Sequence, residues 1–197
     1  MSPAAVMLLS ALAAPSADAG MAGHILHAAE GRVKTPLYAA FVLLISPEGK
    51  VVSCSQGESN ADARSLAKLC PIELTLQYKH TAQIDGVPAW GRDRTFITIF
   101  DLPEDRPRLK LTPEVTLEVN RLPDKADVVD VVTIVLVSPK GQIERCESAP
   151  NANPGLAKVA CAEMLGQGWS AQTDPAGTPV SYVQKITVRF TLDKSAH

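Results

Sequence analysis

The feature that most restricts how this chain can fold is a repeat. Ile45-Ser-Pro-Glu-Gly-Lys-Val-Val-Ser-Cys54 returns as Val137-Ser-Pro-Lys-Gly-Gln-Ile-Glu-Arg-Cys146 at a constant offset of 92. Leu66-Ala67-Lys68 and Leu156-Ala157-Lys158 then precede Cys70 and Cys161. Tyr78, Gly86 and Pro88 match Trp169, Gly177 and Pro179 at an offset of 91, and the strand-like run 96–100 is matched by 186–190. Ordered matches at so steady an offset mark a duplicated unit. Each copy owns two cysteines at equivalent places, so the duplication selects Cys54–Cys70 and Cys146–Cys161 from the three pairings open to four thiols. Each bridge closes a loop of about 15 residues, worth roughly 3 kcal/mol.

Within a copy the pattern reads β-β-α-β. Tyr38 to Ile45 is a continuous apolar run, as in a strand buried on both faces. Pro47-Glu48-Gly49 supplies turn chemistry, and Val51 to Ser55 returns as the second arm of a hairpin. Asn60 caps a helix expected over Ala61–Cys70, Asp85-Gly86 turns the chain, and Thr95–Phe100 closes the unit. The second copy runs Val128–Val137, a turn at Pro139-Lys140-Gly141, Gln142–Cys146, a helix, and a closing strand Ser181–Leu192. Its helix start is well specified, with Asn153 as cap and Pro154 at the first helical position. Leu156, Val159, Ala160 and Met164 give it an inward stripe. The expected fold class is therefore α+β: two tandem β-β-α-β units, each a small antiparallel sheet covered by a helix, spanning 20–102 and 128–197. Residues 103–127 form a linker rich in Pro and charge, with an added edge strand within Leu111–Val119.

The first 19 residues read as a cleaved signal peptide. Ala4–Ala14 is a small and apolar run too short to span a bilayer, and Ala17-Asp18-Ala19 is a small-x-small site that would release Gly20. No Lys or Arg precedes the run. Export suits an even cysteine count without any C-x-x-C pair, and the expected compartment is the periplasm. With 19 Lys+Arg against 21 Asp+Glu, a net charge of −2 carries no footprint for nucleic acid. No apolar stretch reaches the roughly 20 residues of a membrane helix.

An apolar strand, a Pro-x-Gly turn, a return strand, a helix, an aromatic, then Gly-x-Pro and a closing strand together resemble the TonB C-terminal domain family. The residues that carry this are Pro139, Gly141, the helix 156–165, Trp169, Gly177-Thr178-Pro179-Val180 and the run 186–190; in the first copy they are Pro47, Gly49, Tyr78, Gly86, Pro88 and Phe100. The resemblance implies a cell-envelope domain, linked to transport, that takes an extended partner segment by pairing it against a sheet edge. There is no anchoring helix and no long Pro-rich spacer, and the segment after Trp169 reads Ser170-Ala-Gln-Thr-Asp174. The expectation is thus an adaptor that is not itself an anchored energy transducer, with the closing strands as acceptor edges. A second reading has the two repeats pair their own edges, in a structural or oligomerising envelope protein.

Nothing recommends an enzyme. No G-x-S-x-G, H-E-x-x-H, Walker or dinucleotide fingerprint is present, so no catalytic residue and no cofactor is assigned. His24 and His27 lack a third ligand, while His80 and His197 are isolated, so no metal is assigned either. Tyr78 and Trp169 read as core caps. Trp90, beside Arg92 and Arg94, has the composition of a contact hot spot, and Ser181, Val183 and Lys185 on the second closing strand complete the candidate partner surface.

Overall fold

The structure, a computed structural model, describes residues 11–15, 37–60, 67, 69–99, 112–150 and 152–193. In chain order its elements are β1 (Leu12–Ala13), β2 (Leu37–Ile45), β3 (Val51–Ser59), α1 (Leu69–Glu73), β4 (Ala82–Ile84) and β5 (Val87–Ile99). There follow β6 (Val115–Val119), a 3-10 turn (Pro123–Lys125), β7 (Val128–Val137), β8 (Ile143–Ser148), α2 (Pro154–Met164), β9 (Gln172–Thr173), β10 (Pro179–Val180) and β11 (Tyr182–Leu192).

The repeat has a physical cause. In the two hairpin turns Gly49 and Gly141 adopt φ +85° and +77°, where a side chain is strained. A Cβ on either would also overlap the main-chain oxygen of Tyr78 or Trp169. The Tyr78 N–H donates to the Gly49 carbonyl, and the Trp169 N–H to that of Gly141. Turn and aromatic are therefore two ends of one contact, which is why both copies keep them, 29 residues apart in the first and 28 in the second.

Both disulfides are present, Cys54–Cys70 with Cα atoms 5.7 Å apart and Cys146–Cys161 at 5.3 Å. The second ties β8 to α2, whose cap is as expected: Asn153 Oδ1 accepts from the Gly155 and Leu156 N–H groups at 3.0 and 3.1 Å. The buried stripe of α2 is Ala157, Ala160 and Met164, with Val159 exposed. Small residues win the inward positions because the bridge draws the helix close to the sheet. Of the expected first helix, residues 61–66 and 68 lie outside the described residues; α1 occupies Leu69–Glu73, running past the expected end at Cys70.

The expected fold class is corrected by the sheet. Among the described residues 53% are in strands and 13% in helix, and six strands curl into a nearly closed, barrel-like arrangement. The two halves do not own separate sheets. One nine-stranded sheet runs β1-β4-β5-β11-β7-β8, with β2 also on β5, β3 on β2, and β6 on β11. The join is a parallel pairing of Trp90, Gly91 and Arg92 with Tyr182, Val183 and Gln184. An α+β description in two β-β-α-β units fails because the closing strands meet each other, and because α1 is too short to form a layer.

Side chains that face each other across a ladder share a sheet face. Ile45 pairs with Gly91, Gly91 with Val183, and Val183 with Leu136, so these four lie on one face. Ile45 belongs to the core under α1, with Phe41, Leu43, Leu69 and Tyr78. The core under α2, with Val135, Val137, Tyr182, Ile186 and Phe190, lies on the opposite face. One helix therefore covers the first half from one side, and the other covers the second half from the other.

Candidate functional site

That inversion leaves a bare apolar strip, Ile134, Leu136 and Val183, on the face of the second half away from α2. The β4–β5 hairpin folds over it and supplies Ala82, and β1 fills the remaining slot. Leu12 sits 6% exposed against this floor. The backbone of β1 is added antiparallel to β4, with Leu12 opposite Ile84 and Ala13 opposite Gln83. The Asp85 N–H donates to the Ala11 carbonyl at 2.8 Å, extending that ladder.

On its other side β1 meets β8 through a side chain. The Leu12 N–H donates to Glu147 Oε2 at 2.9 Å, so a carboxylate stands where a closed barrel would have a strand carbonyl. Arg145 holds this rim together. Its guanidinium donates to both Asp85 oxygens at 3.2 Å and to Glu147 Oε1 at 2.9 Å, clamping β8 to the β4–β5 turn. Asp85 accordingly holds the Arg145 guanidinium above its usual range. At the far end Pro15 is buried against Gly91, where an added Cβ would lie 2.8 Å from Pro15 Cγ and 3.0 Å from Ala82 Cβ. The slot thus takes one large aliphatic, small residues, and a proline.

A second site opens where β5 and β11 part. Their pairing ends at Arg92–Gln184, and β6 joins β11 only from Val188. Between them lies a cleft of about 330 Å³, lined by Arg92, Asp93, Arg94, Glu114, Gln184 and Lys185 among others. Glu114 bridges the gap: one oxygen accepts from the Thr187 N–H at 2.8 Å, and the other pairs with Arg94 at 3.3 Å. Arg94 also pairs with Glu58 at 3.4 Å and lies over the Phe96 ring. Arg92 donates to Gln184 Oε1 at 2.7 Å, its Nε is buried without a hydrogen-bond partner, and burial pulls its guanidinium below the usual range.

Asp93 is half-buried beside this cleft and accepts from the Tyr78 hydroxyl at 3.0 Å. Burial pushes its carboxyl above the usual range, against the pull of the Tyr78 hydrogen bond and the Lys185 charge. The folded protein therefore binds this proton more tightly than the unfolded chain. Asp93's contribution to stability is fully present below the ordinary carboxylate pKa of about 3.9 and is lost as pH rises through the raised folded value. Asp93→Asn keeps an oxygen for Tyr78 and removes the charge. In urea unfolding it should gain on the native protein between pH 4 and pH 7; a difference that stays constant over that range would refute the burial penalty.

The sequence-selected surface residues fall on both faces. Trp90 packs at the edge of the core under α2, while Arg92, Arg94 and the exposed Lys185 meet at the cleft. Val183 is wholly buried in the slot floor, and Ser181 is half-buried just before β11. Of the two closing strands β11 is paired along most of both sides, while β5 keeps one side without a strand partner beyond Arg92 among the described residues. β11 has β7 along one side and β5, then β6, along the other; β5 has β4, then β2, along one side and β11, at Trp90–Arg92, on the other. Phe100, His24, His27 and His197 lie outside the described residues, and His80 is exposed. Among the described residues no three His, Cys, Asp or Glu side chains gather as a metal site. No helix there is long and apolar enough to cross a membrane.

No family model, curated protein or solved structure matches the chain. Nothing beyond its own residues links it to the TonB C-terminal family. The residues that sequence reasoning missed are Leu12, Pro15, Gly91, Arg145 and Glu147. A leader reading removed the first two from consideration. The other three had one legible signal, a glycine set between Trp90 and Arg92 in an otherwise bulky strand.

Proposed function

We propose that the protein is an exported binding or adaptor module that accepts an extended segment of a partner protein by strand addition, with the edge of β4 as acceptor. The observation that carries this is the seating of Leu12–Ala13: a segment distant in sequence is already added there, over a floor shaped for its side chains. Main-chain hydrogen bonds would give such a site affinity, and pockets for alternate side chains would give it selectivity. Two disulfides support an oxidising compartment, and the leader-like first 19 residues favour the periplasm. The pairing of Trp90–Arg92 with Tyr182–Gln184 favours a second reading, a structural envelope protein whose repeats mainly pair each other.

A proline test separates the two. The Asp85 N–H points at the added strand, so by alternation the Gln83 N–H does too, while Ile84 faces β5. Gln83→Pro removes an acceptor-edge donor and spares the β5 ladder. Peptides selected by display against the oxidised protein should lose at least about tenfold in affinity on this variant, or about 1.4 kcal/mol. Selected peptides that bind it undiminished would exclude strand addition at β4 and leave the structural reading.

A further inference from the structure

Resting on that reading of the β4 edge, we infer that residues 11–15 are a resident plug of the acceptor slot, and that its later occupant is a partner segment of the pattern large aliphatic, small, small, proline.

The plug is held in a way that permits exchange. Only two residues form β1, and its single ladder is to β4. Towards β8 it has a carboxylate in place of a strand, so the sheet does not close around it. The rim clamp, Arg145 with Asp85 and Glu147, is made between β8 and the β4–β5 turn and includes no residue of β1. The frame of the slot is therefore built without the plug.

The plug also lies within the stretch that reads as a removable leader ending at Ala17-Asp18-Ala19. A chain without residues 1–19 keeps Ala82, Ile134, Leu136 and Val183 together with the outward N–H and C=O groups of β4. That is an apolar floor beside an unpaired strand edge, which requires a cover. The chain cannot refill it in kind, because Leu-Ala-Ala-Pro occurs once in the sequence, at Leu12–Pro15. A partner segment is thereby the occupant.

The pattern follows from the contacts. The aliphatic residue enters the floor where Leu12 sits. The next two run along β4 and onward to the proline, with Ala14 packed at the edge of the floor. The proline lies on Gly91, the one place where β5 has no side chain to obstruct it, and lacks an N–H to continue the ladder. Gly91 is thus the specificity-determining residue.

The test uses the full chain and a labelled peptide, Ala-Leu-Ala-Ala-Pro-Ser, read by fluorescence anisotropy. In Leu12→Asp the new carboxylate faces Glu147 and an apolar floor, so the plug is expelled and the peptide should bind at least tenfold tighter than to the native chain. Adding Gly91→Val to Leu12→Asp should abolish that binding, as should replacing the peptide's proline by lysine. Leu12→Ala gives the same ordering with a smaller gain should Leu12→Asp fail to fold. Equal affinity for the native and Leu12-substituted chains overturns the plug while leaving strand addition standing. Indifference to Gly91→Val or to the peptide's proline overturns the assigned pattern. Loss of strand addition itself is read separately, from Gln83→Pro.

Discussion

Phe190→Ala should cost about 3–5 kcal/mol, among the largest effects expected of a single truncation in this protein. Phe190 is fully buried under α2, and β11 carries it between Val129 of β7 and Leu117 of β6. No neighbour can collapse into the space without disturbing a ladder on one side or the other, so the cavity persists and its cost adds to the lost transfer energy. Val128→Ala at the exposed start of β7 should stay within about 0.5 kcal/mol. Trp90 and Trp169 both pack on the core under α2 and report that half in a urea titration, while exchange at the Tyr78 amide, which donates to the Gly49 carbonyl, reports the first half. Because the sheet is continuous, the loss should shift both signals together. A loss under about 1 kcal/mol, or a shift confined to the tryptophan signal with Tyr78 protection unchanged, would contradict the shared sheet.

Removing a disulfide should cost roughly 3 kcal/mol in either half by the loop-closure argument, but the structural consequence should differ. The five residues of α1 make little more than one turn, held to the core by Leu69, Cys70, Ile72 and the buried Glu73, so Cys54→Ala with Cys70→Ala should release that turn locally. The eleven residues of α2 keep the Asn153 cap and three buried side chains, so Cys146→Ala with Cys161→Ala should leave the helix formed and lower only its global stability. Hydrogen exchange separates these outcomes at two equivalent amides. Leu74, which donates to the Cys70 carbonyl, should lose protection; Leu165, which donates to the Cys161 carbonyl, should keep most of it. The reverse ranking would mean that the bridge, and not the cap and core, holds α2.

What the sequence made legible was local. The Pro-x-Gly turns, the Asn153–Pro154 helix start, the strands on either side and both cysteine pairs follow from residue chemistry acting over a few positions, and a duplication prints that chemistry twice. Assembly was legible only as the second reading, in which the repeats pair their own edges; nothing local in Trp90–Arg92 or Tyr182–Gln184 says that these strands will meet, or in parallel. Taking a copy to be a unit led to two sheets where one forms. The same limit applies to the slot. Leu12 is one more apolar residue in a leader-like run, and its role depends on Ile134, Leu136 and Val183, more than a hundred residues away. Trp90, Arg92 and Arg94 drew attention by composition, whereas the glycine between them defines the neighbouring pocket.

The placement of the two helices on opposite sides of the sheet governs valency. Any surface that the repeats share by descent, such as the groove between a helix and its bridged strand, is displayed twice and back to back. A short ligand with two heads could not grip both at once, so tethering two copies of a recognition motif on a brief linker would gain no avidity. Two separate molecules could each take one side. A duplication arranged this way would suit a coupler, a part that joins two things across its thickness, where the same repeats set side by side on one face would suit a clamp.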